Sequence, residues 1–282
     1  MKDIVENRQR MSLASKVRLA WISIRTNGPL WFIFLGIYYL GSGLAHFGFR
    51  HADLLRKKKN LPAMNSLSAN KLIWENWNWS GNGEEWTLSP EWKTSVIKNF
   101  IDPYYSNCGV LLEIGPGTGR WTEYLIAKTS KLIGVDISQA CVTACRKRFP
   151  SAEFELGNGK DIAMIPRGSI DAIWSFDVFV HINGAEFLSY VEEFRRVLKP
   201  GGLVIIHHGS VGGSNGGWRS NVTDAMVREF TAANGFDIER QVHDWLDEGT
   251  KYPAGLYSDT ITIARCANHI GQPAMDSAVT PA

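Results

Sequence analysis

Leu112-Glu-Ile-Gly-Pro-Gly-Thr-Gly119 sets the reading of this 282-residue chain. It continues a short apolar run, Gly109-Val-Leu-Leu-Glu-Ile114, of the kind that forms a buried strand. The glycines at 115, 117 and 119 allow a tight turn and a close approach of backbone to a ligand. A helix is expected from about Arg120 to Lys128, then a second strand, Lys131-Leu-Ile-Gly-Val135, closed by Asp136. Ser138 is placed to cap a helix that runs to about Phe149 and stops at Pro150. Phe154 falls on a third strand, Ile170–Phe176 on a fourth and Leu203–His207 on a fifth. A helix near 185–198 ends at Lys199-Pro-Gly-Gly202. Such alternation predicts an α/β, doubly wound parallel sheet with helices on both faces. The ligand then belongs at the carboxyl ends of the strands, beside the first strand-to-helix turn.

Asp136, 21 residues beyond Gly115, is placed to accept hydrogen bonds from ribose hydroxyls. A dinucleotide-binding turn would read G-x-G-x-x-G and require glycine where Arg120 stands. That residue disfavours a pyrophosphate site.

Five motifs, in order over about residues 90–265, resemble those of class I S-adenosylmethionine-dependent methyltransferases. Leu112–Gly119 resembles the family's first motif, and Gly134-Val-Asp-Ile-Ser138 its ribose site. Gly157-Asn158-Gly159 resembles the segment that meets the adenine, with Asn158 where the family has an acid. Asp171–His181 resembles the fourth-strand motif, and Leu198-Lys-Pro-Gly-Gly202 the turn before the fifth strand. The resemblance implies a mostly parallel seven-stranded sheet and S-adenosyl-L-methionine as cofactor. It places Glu113, Gly115, Gly117 and Gly119 at the methionine end, Asp136 on the ribose, and Ile137, Asn158 and Gly159 at the adenine. Phe176 and Asp177 would line the methyl-transfer pocket.

Methyl transfer is an in-line displacement that depends on alignment, and an alcohol acceptor also needs a base. Histidine titrates in the useful range. His181 follows the fourth strand and is the first choice, and His207 and His208 end the fifth. As strand neighbours the latter two point to opposite faces, so at most one faces the substrate. Cys141 and Cys145 read as packing residues, and four cysteines without paired spacing give no metal site. Five of the 11 tryptophans fall within 74–92, and Gly209–Asn221 is a glycine-rich loop. Both are expected over the pocket, where indole faces suit ring-bearing acceptors.

The charge is uneven. Residues 1–60 hold 11 Lys/Arg against 3 Asp/Glu, while the remainder is mildly acidic. An acidic body without a basic stripe excludes nucleic acid as partner. Pro29–Phe49 contains no Asp, Glu, Lys or Arg over 21 residues, and as one helix would span about 31 Å, close to a hydrocarbon core. Leu13, Val17, Ala20, Trp21 and Ile24 share a helical face ahead of it, with Lys16, Arg18 and Arg25 off that face. Gly41-Ser42-Gly43 and the basic residues on both flanks favour a hairpin or in-plane anchor over a simple span. The other reading is a hairpin packed on the body or at a homo-oligomer interface.

The expected organisation is a membrane-associating arm at 1–60, a Trp-rich cap and linker at 61–108, a methyltransferase domain at 109–266 and a flexible tail at 267–282. The expected activity is methylation of a hydroxyl on a sugar-bearing, lipid-linked or secondary-metabolite acceptor, a small molecule or glycolipid, at the cytoplasmic side of a membrane. The alternatives are a lipid-headgroup or quinone methyltransferase, and an inactive methyltransferase-like module recruited to membranes.

Overall fold

The computed structural model describes residues 13, 14, 17, 21, 22, 24, 25, 28–59, 65–213 and 219–267. The chain divides into two compact units, Met1–Leu61 and Pro62–Ala282.

Among the described residues the larger unit has nine strands. They are β1 (Cys108–Ile114), β2 (Thr129–Asp136), β3 (Glu153–Leu156), β4 (Ile170–Phe179), β5 (Leu198–Gly209), β6 (Phe236–Val242), β7 (Asp244–Asp247), β8 (Thr250–Pro253) and β9 (Asp259–Cys266). Seven form one sheet in the order β3-β2-β1-β4-β5-β9-β6, and β7 and β8 form a separate hairpin. The first five strands run parallel, whereas β9 pairs antiparallel with both β5 and β6. The expected strands are therefore present, although β5 starts at Leu198, upstream of its apolar run. The helix expected over 120–128 is only Thr122–Leu125, followed by a 3₁₀ turn at Ile126–Lys128. The remaining two of the seven strands that the resemblance implies are β9 and β6, which carry no motif of their own in the sequence.

Successive strand residues point to opposite faces, and this divides the core in two. Leu111, Trp174, Phe176, Ile205 and Ile261 join one cluster, while Leu112, Ile173, Ile206 and Ala264 join the other. Burial of each large side chain contributes about 1.5–3 kcal/mol. The first face is covered by a helix that starts at Pro90 and continues to Tyr105, with Ser89 as cap. Its Trp92, Val96, Phe100, Ile101 and Tyr105 recur at helical spacing and are all buried. The polar tips find partners: Tyr105 Oη donates to Ile173 O at 2.9 Å and Trp92 Nε1 to Pro253 O at 2.8 Å. The second face is covered by the helices Gly184–Val197 and Asp224–Ala233.

In the smaller unit, Pro29–Lys59 is one uninterrupted 31-residue helix, α1, about 46 Å long. This corrects the expected break at Gly41-Ser42-Gly43. A glycine costs only about 1 kcal/mol relative to alanine inside a helix, and no proline interrupts the segment. An unbroken helix also satisfies every backbone polar group of an apolar stretch internally. An 18-residue window has mean hydropathy 1.4 and none of it is buried. The last turn carries Arg56, Lys57, Lys58 and Lys59, the favoured sign at a helix C-terminus. In the preceding turn Asp53 accepts from Arg56 (3.0 Å) and Lys57 (2.9 Å). Leu13, Val17 and Trp21 are helical and exposed. Lys16, Arg18 and Ala20 of the expected amphipathic face lie outside the described residues, as do 268–282 of the expected tail.

Candidate cofactor and acceptor site

The glycine loop lies between β1 and Thr122 with Gly115, Gly117 and Gly119 at φ of 70°, 58° and 97°. A Cβ at Gly115 would lie 2.3 Å from Val178 Cγ2, and one at Gly119 would lie 2.2 Å from Phe149 Cε2. Positive φ and close neighbours together require glycine at these two turns.

Two buried acids hold the loop. Asp136, at the end of β2, accepts the Gly117 N–H (3.0 Å) on Oδ2 and the Ser138 N–H (2.9 Å) on Oδ1. Burial raises its carboxyl to about 6, against the lowering effect of the Ser138 and Gly117 backbone bonds. Glu113 accepts the Thr122 hydroxyl at 2.6 Å. Burial pushes Glu113 up to about 8, only partly offset by that bond. It supports the loop from beneath. Ser138 caps the helix Gln139–Arg148 as expected.

Ile137 and Gly159 are brought together, since a Cβ at Gly159 would lie 3.2 Å from Ile137 Cγ2. Asn158 is exposed and folds onto its own turn. Its Oδ1 accepts the N–H groups of Lys160 (2.8 Å) and Asp161 (3.0 Å), and its amide donates to Asp161 Oδ2 at 2.8 Å. Asp161 thus returns a carboxylate three residues beyond the position where the sequence lacks one.

At the ends of β4 and β5 the structure assembles a charged row. His207 is fully buried and stacks on Phe176 at 4.2 Å. Its Nδ1 lies 3.1 Å from Asp177 Oδ1 and 3.2 Å from the Asp177 N–H. The Asp177 N–H donates to Nδ1, and a proton on Nδ1 would turn the ring's partner from that amide to the adjacent carboxylate. His207 Nε2 has no hydrogen-bond partner among the described residues, with Asp259 Oδ2 3.6 Å away. Arg120 pairs with Asp177, and Arg219 with Asp259. Asp177 occupies left-handed backbone at φ 61°, a strained conformation for a non-glycine residue. Burial raises its carboxyl, but Arg120 and His207 outweigh that and hold it well below the usual range. Burial lowers His207, so the ring is neutral near pH 7. Two arginines and two aspartates cancel around that neutral ring.

The other two histidines sit elsewhere. His208 faces the opposite side of the sheet, bonded to Thr262 Oγ1 (2.6 Å) and Gly209 O (2.9 Å), and burial lowers it to about 4. It is a packing residue, as the strand alternation requires for one of the pair. His181 lies beside Trp74 at 5.3 Å, and its carbonyl accepts from Asn70 Nδ2 at 3.1 Å. Phe176, expected to line the cofactor pocket, is packed between His207, Trp121 and Trp174. Residues 214–218 of the Gly209–Asn221 loop lie outside the described residues.

Sequence reasoning missed Arg120 as a partner of Asp177, and Asp259 altogether. A charged residue inside an otherwise buried loop was the available signal for Arg120. Asp259 is an acid opening an apolar strand, a signal too common to be decisive.

Sheet order, loop and acid define a class I S-adenosylmethionine-dependent methyltransferase fold, and the chain carries a domain of that class. Residues 112–206 match the methyltransferase domain family. Over 97 residues the chain is 32% identical to a Mycolicibacterium smegmatis protein named probable S-adenosylmethionine-dependent methyltransferase, covering 34% of this chain and 36% of that one. It is 33% identical over 99 residues to demethylmenaquinone methyltransferase of Tropheryma whipplei, covering 34% and 40%. The chain thus spans well under half the length of these curated relatives. A chain of the complex between the Haloferax volcanii Trm112 methyltransferase activator and its methyltransferase partner superposes with TM-score 0.55 at 18% identity, over 69% of this chain and 97% of that one. An S-adenosylmethionine-dependent methyltransferase of Mesorhizobium loti gives TM-score 0.50 at 13% identity, covering 62% and 96%. The left-handed loop and the buried Asp136 fit S-adenosylmethionine as cofactor.

Proposed function

We propose that the protein transfers a methyl group from S-adenosylmethionine to a hydroxyl of a sugar-bearing, lipid-linked or secondary-metabolite acceptor at the cytoplasmic surface of a membrane. The observation that supports the cofactor half is Asp136, which holds the glycine loop through Gly117 N–H; we assign the ribose to the same carboxylate. Glu113 stiffens the loop, and Ile137 and Gly159 offer the adenine wall.

For the acceptor half, His207 is the preferred base, because a carboxylate lies against its Nδ1 and a second faces its Nε2. With a proton on Nδ1 held by the Asp177 carboxylate and the Gly255 loop drawn off the ring, the Nε2 lone pair takes the acceptor hydroxyl proton. The imidazolium so formed sits between Asp177 and Asp259 and is stabilised by both. S-adenosylmethionine, when bound, supplies an electrophilic methyl group for the acceptor oxygen. Gly255 lets the adjoining loop close here, since a Cβ there would lie 2.8 Å from His207 Nε2 and 2.4 Å from Asp259 Oδ2.

The membrane half rests on α1, whose apolar length and terminal basic cluster suit a bilayer with an anionic surface. An unbroken helix favours a span or anchor over the hairpin. A second reading, methylation of a quinone or a lipid headgroup, draws support from the likeness to demethylmenaquinone methyltransferase and suits the same helix. The test is incubation of full-length protein with isotope-labelled S-adenosylmethionine and membrane extract, followed by mass spectrometry of labelled products. Label on a hydroxyl-derived ether supports the first reading and label on a quinone ring the second. Absence of cofactor binding by calorimetry overturns both.

A further inference from the structure

The segment upstream of the sheet lies against both cofactor walls. Its helix α2 (Leu67–Glu75) begins on the adenine side, where a Cβ at Gly159 would lie 2.2 Å from Leu67 Cδ1. Further on, a Cβ at Gly117 would lie 3.2 Å from Trp79 Cζ3, which places that indole on the glycine loop. Between them Glu75 Oε2 accepts the Ser138 hydroxyl (2.8 Å) and the Ala140 N–H (3.4 Å). Ser138 N–H in turn binds Asp136, so this latch ends on the acid assigned to the ribose.

The root of the segment is tied by amides. Asn70 Nδ2 donates to His181 O, and Asn183 Nδ2 donates to Asn65 O at 3.3 Å. The Asn65 side-chain amide and Asn70 Oδ1 are buried and have no partner among the described residues, so polar capacity remains at this edge of the cleft. The far end is an aromatic cluster in which Trp74, Trp77, Trp79 and Trp86 lie 5.4–6.0 Å apart. Asn70 is the one buried residue of α2. A segment held by a few hydrogen bonds and half-buried rings opens far more easily than a core element.

We propose that residues 65–86 are a lid over the cofactor cleft, with Leu67 and Trp79 touching the cofactor, that opens to exchange S-adenosylmethionine for S-adenosylhomocysteine. None of these residues lies in the matched family segment 112–206. The inference rests on the methyltransferase reading, and the experiment separates the two. Calorimetry with S-adenosylhomocysteine is run on full-length wild type, Leu67→Ala, Trp79→Ala and the exposed latch variant Glu75→Gln, with thermal melting as a folding control. Removing the Leu67 contact, one to three buried carbons, is expected to weaken binding by roughly 4- to 50-fold. Trp79→Ala is expected to act in the same direction, and Glu75→Gln to raise the dissociation rate. Amide exchange over 67–79 in the wild type should slow when S-adenosylhomocysteine is added. Folded variants that bind within twofold of a binding wild type, with unchanged exchange over 67–79, overturn the lid and leave the methyltransferase reading intact. A wild type that binds neither S-adenosylmethionine nor S-adenosylhomocysteine overturns both.

Discussion

Replacing Asp136 by Asn tests the cofactor site at its most defined point. The carboxylate now accepts two backbone N–H groups, from Gly117 at 3.0 Å and Ser138 at 2.9 Å. An amide in the same place has one oxygen, so its NH₂ must face one of those donors. One charge-assisted bond is lost, and the loop that carries Gly117 is no longer held at both ends. Hydrogen bonds to charged groups contribute about 1.5–3 kcal/mol, so S-adenosylhomocysteine affinity should fall roughly 10- to 150-fold. The pH dependence is a second arm. Burial raises the Asp136 carboxyl to about 6, and the site needs its ionised form to accept these donors. Wild-type affinity should therefore be flat above about pH 7 and decline below 6. Fold stability responds with the opposite sign. Between the ordinary aspartate value of 3.8 and about 6 the folded chain keeps a proton that the unfolded chain has lost, so this group lowers stability as pH rises through that window. In Asp136→Asn the pH dependence of affinity should disappear, and the fall of stability with rising pH below about 6 should lessen by this group's share, leaving the part due to Glu113. Calorimetry from pH 5 to 8 with parallel melting curves measures both arms. Variant affinity within twofold of wild type, or wild-type affinity unchanged at pH 5, would refute the role assigned to Asp136.

Four further outcomes are expected. His207→Gln should lower turnover by roughly 10²–10⁴-fold with S-adenosylhomocysteine affinity unchanged, whereas a loss seen only in His181→Gln would move the base to the other side of the pocket. Gly255→Ala should displace His207 and Asp259 and depress turnover without a change in cofactor affinity, as read by steady-state kinetics beside calorimetry. Glu113 holds its proton in the folded chain between 4.5 and about 8, so stability should fall as pH rises across that range, and Glu113→Gln should flatten the slope of the urea midpoint against pH; parallel curves for the two proteins would contradict this. Full-length protein should sediment with vesicles containing anionic lipid, while a chain beginning at residue 62 stays in the supernatant and still binds S-adenosylhomocysteine; full-length protein that remains soluble without lipid or detergent removes the anchor.

The sheet and the cofactor loop were legible because their determinants are local. A strand, three glycines, an acid 21 residues beyond Gly115 and a serine cap lie within one short stretch, and each acts on its chain neighbours. The acceptor side was not legible, because its determinants meet only through the sheet. His207 finds Asp259 by the antiparallel register in which His207 faces Ile261 and Gly209 faces Asp259. Arg120 meets Asp177 across 57 residues, where β1 and β4 lie side by side. The helix α1 escaped for another reason. A Gly-Ser-Gly run signals a turn, but inside a helix each glycine costs only about 1 kcal/mol and no proline forces a break there. Residue type alone ranked three histidines nearly equally and put His181 first. Register separates the fifth-strand pair, because it seats His208 on Thr262 and His207 between two carboxylates, while His181 lies beside Trp74. The carboxylates that flank His207 are therefore a product of strand pairing, which no motif within a single strand encodes.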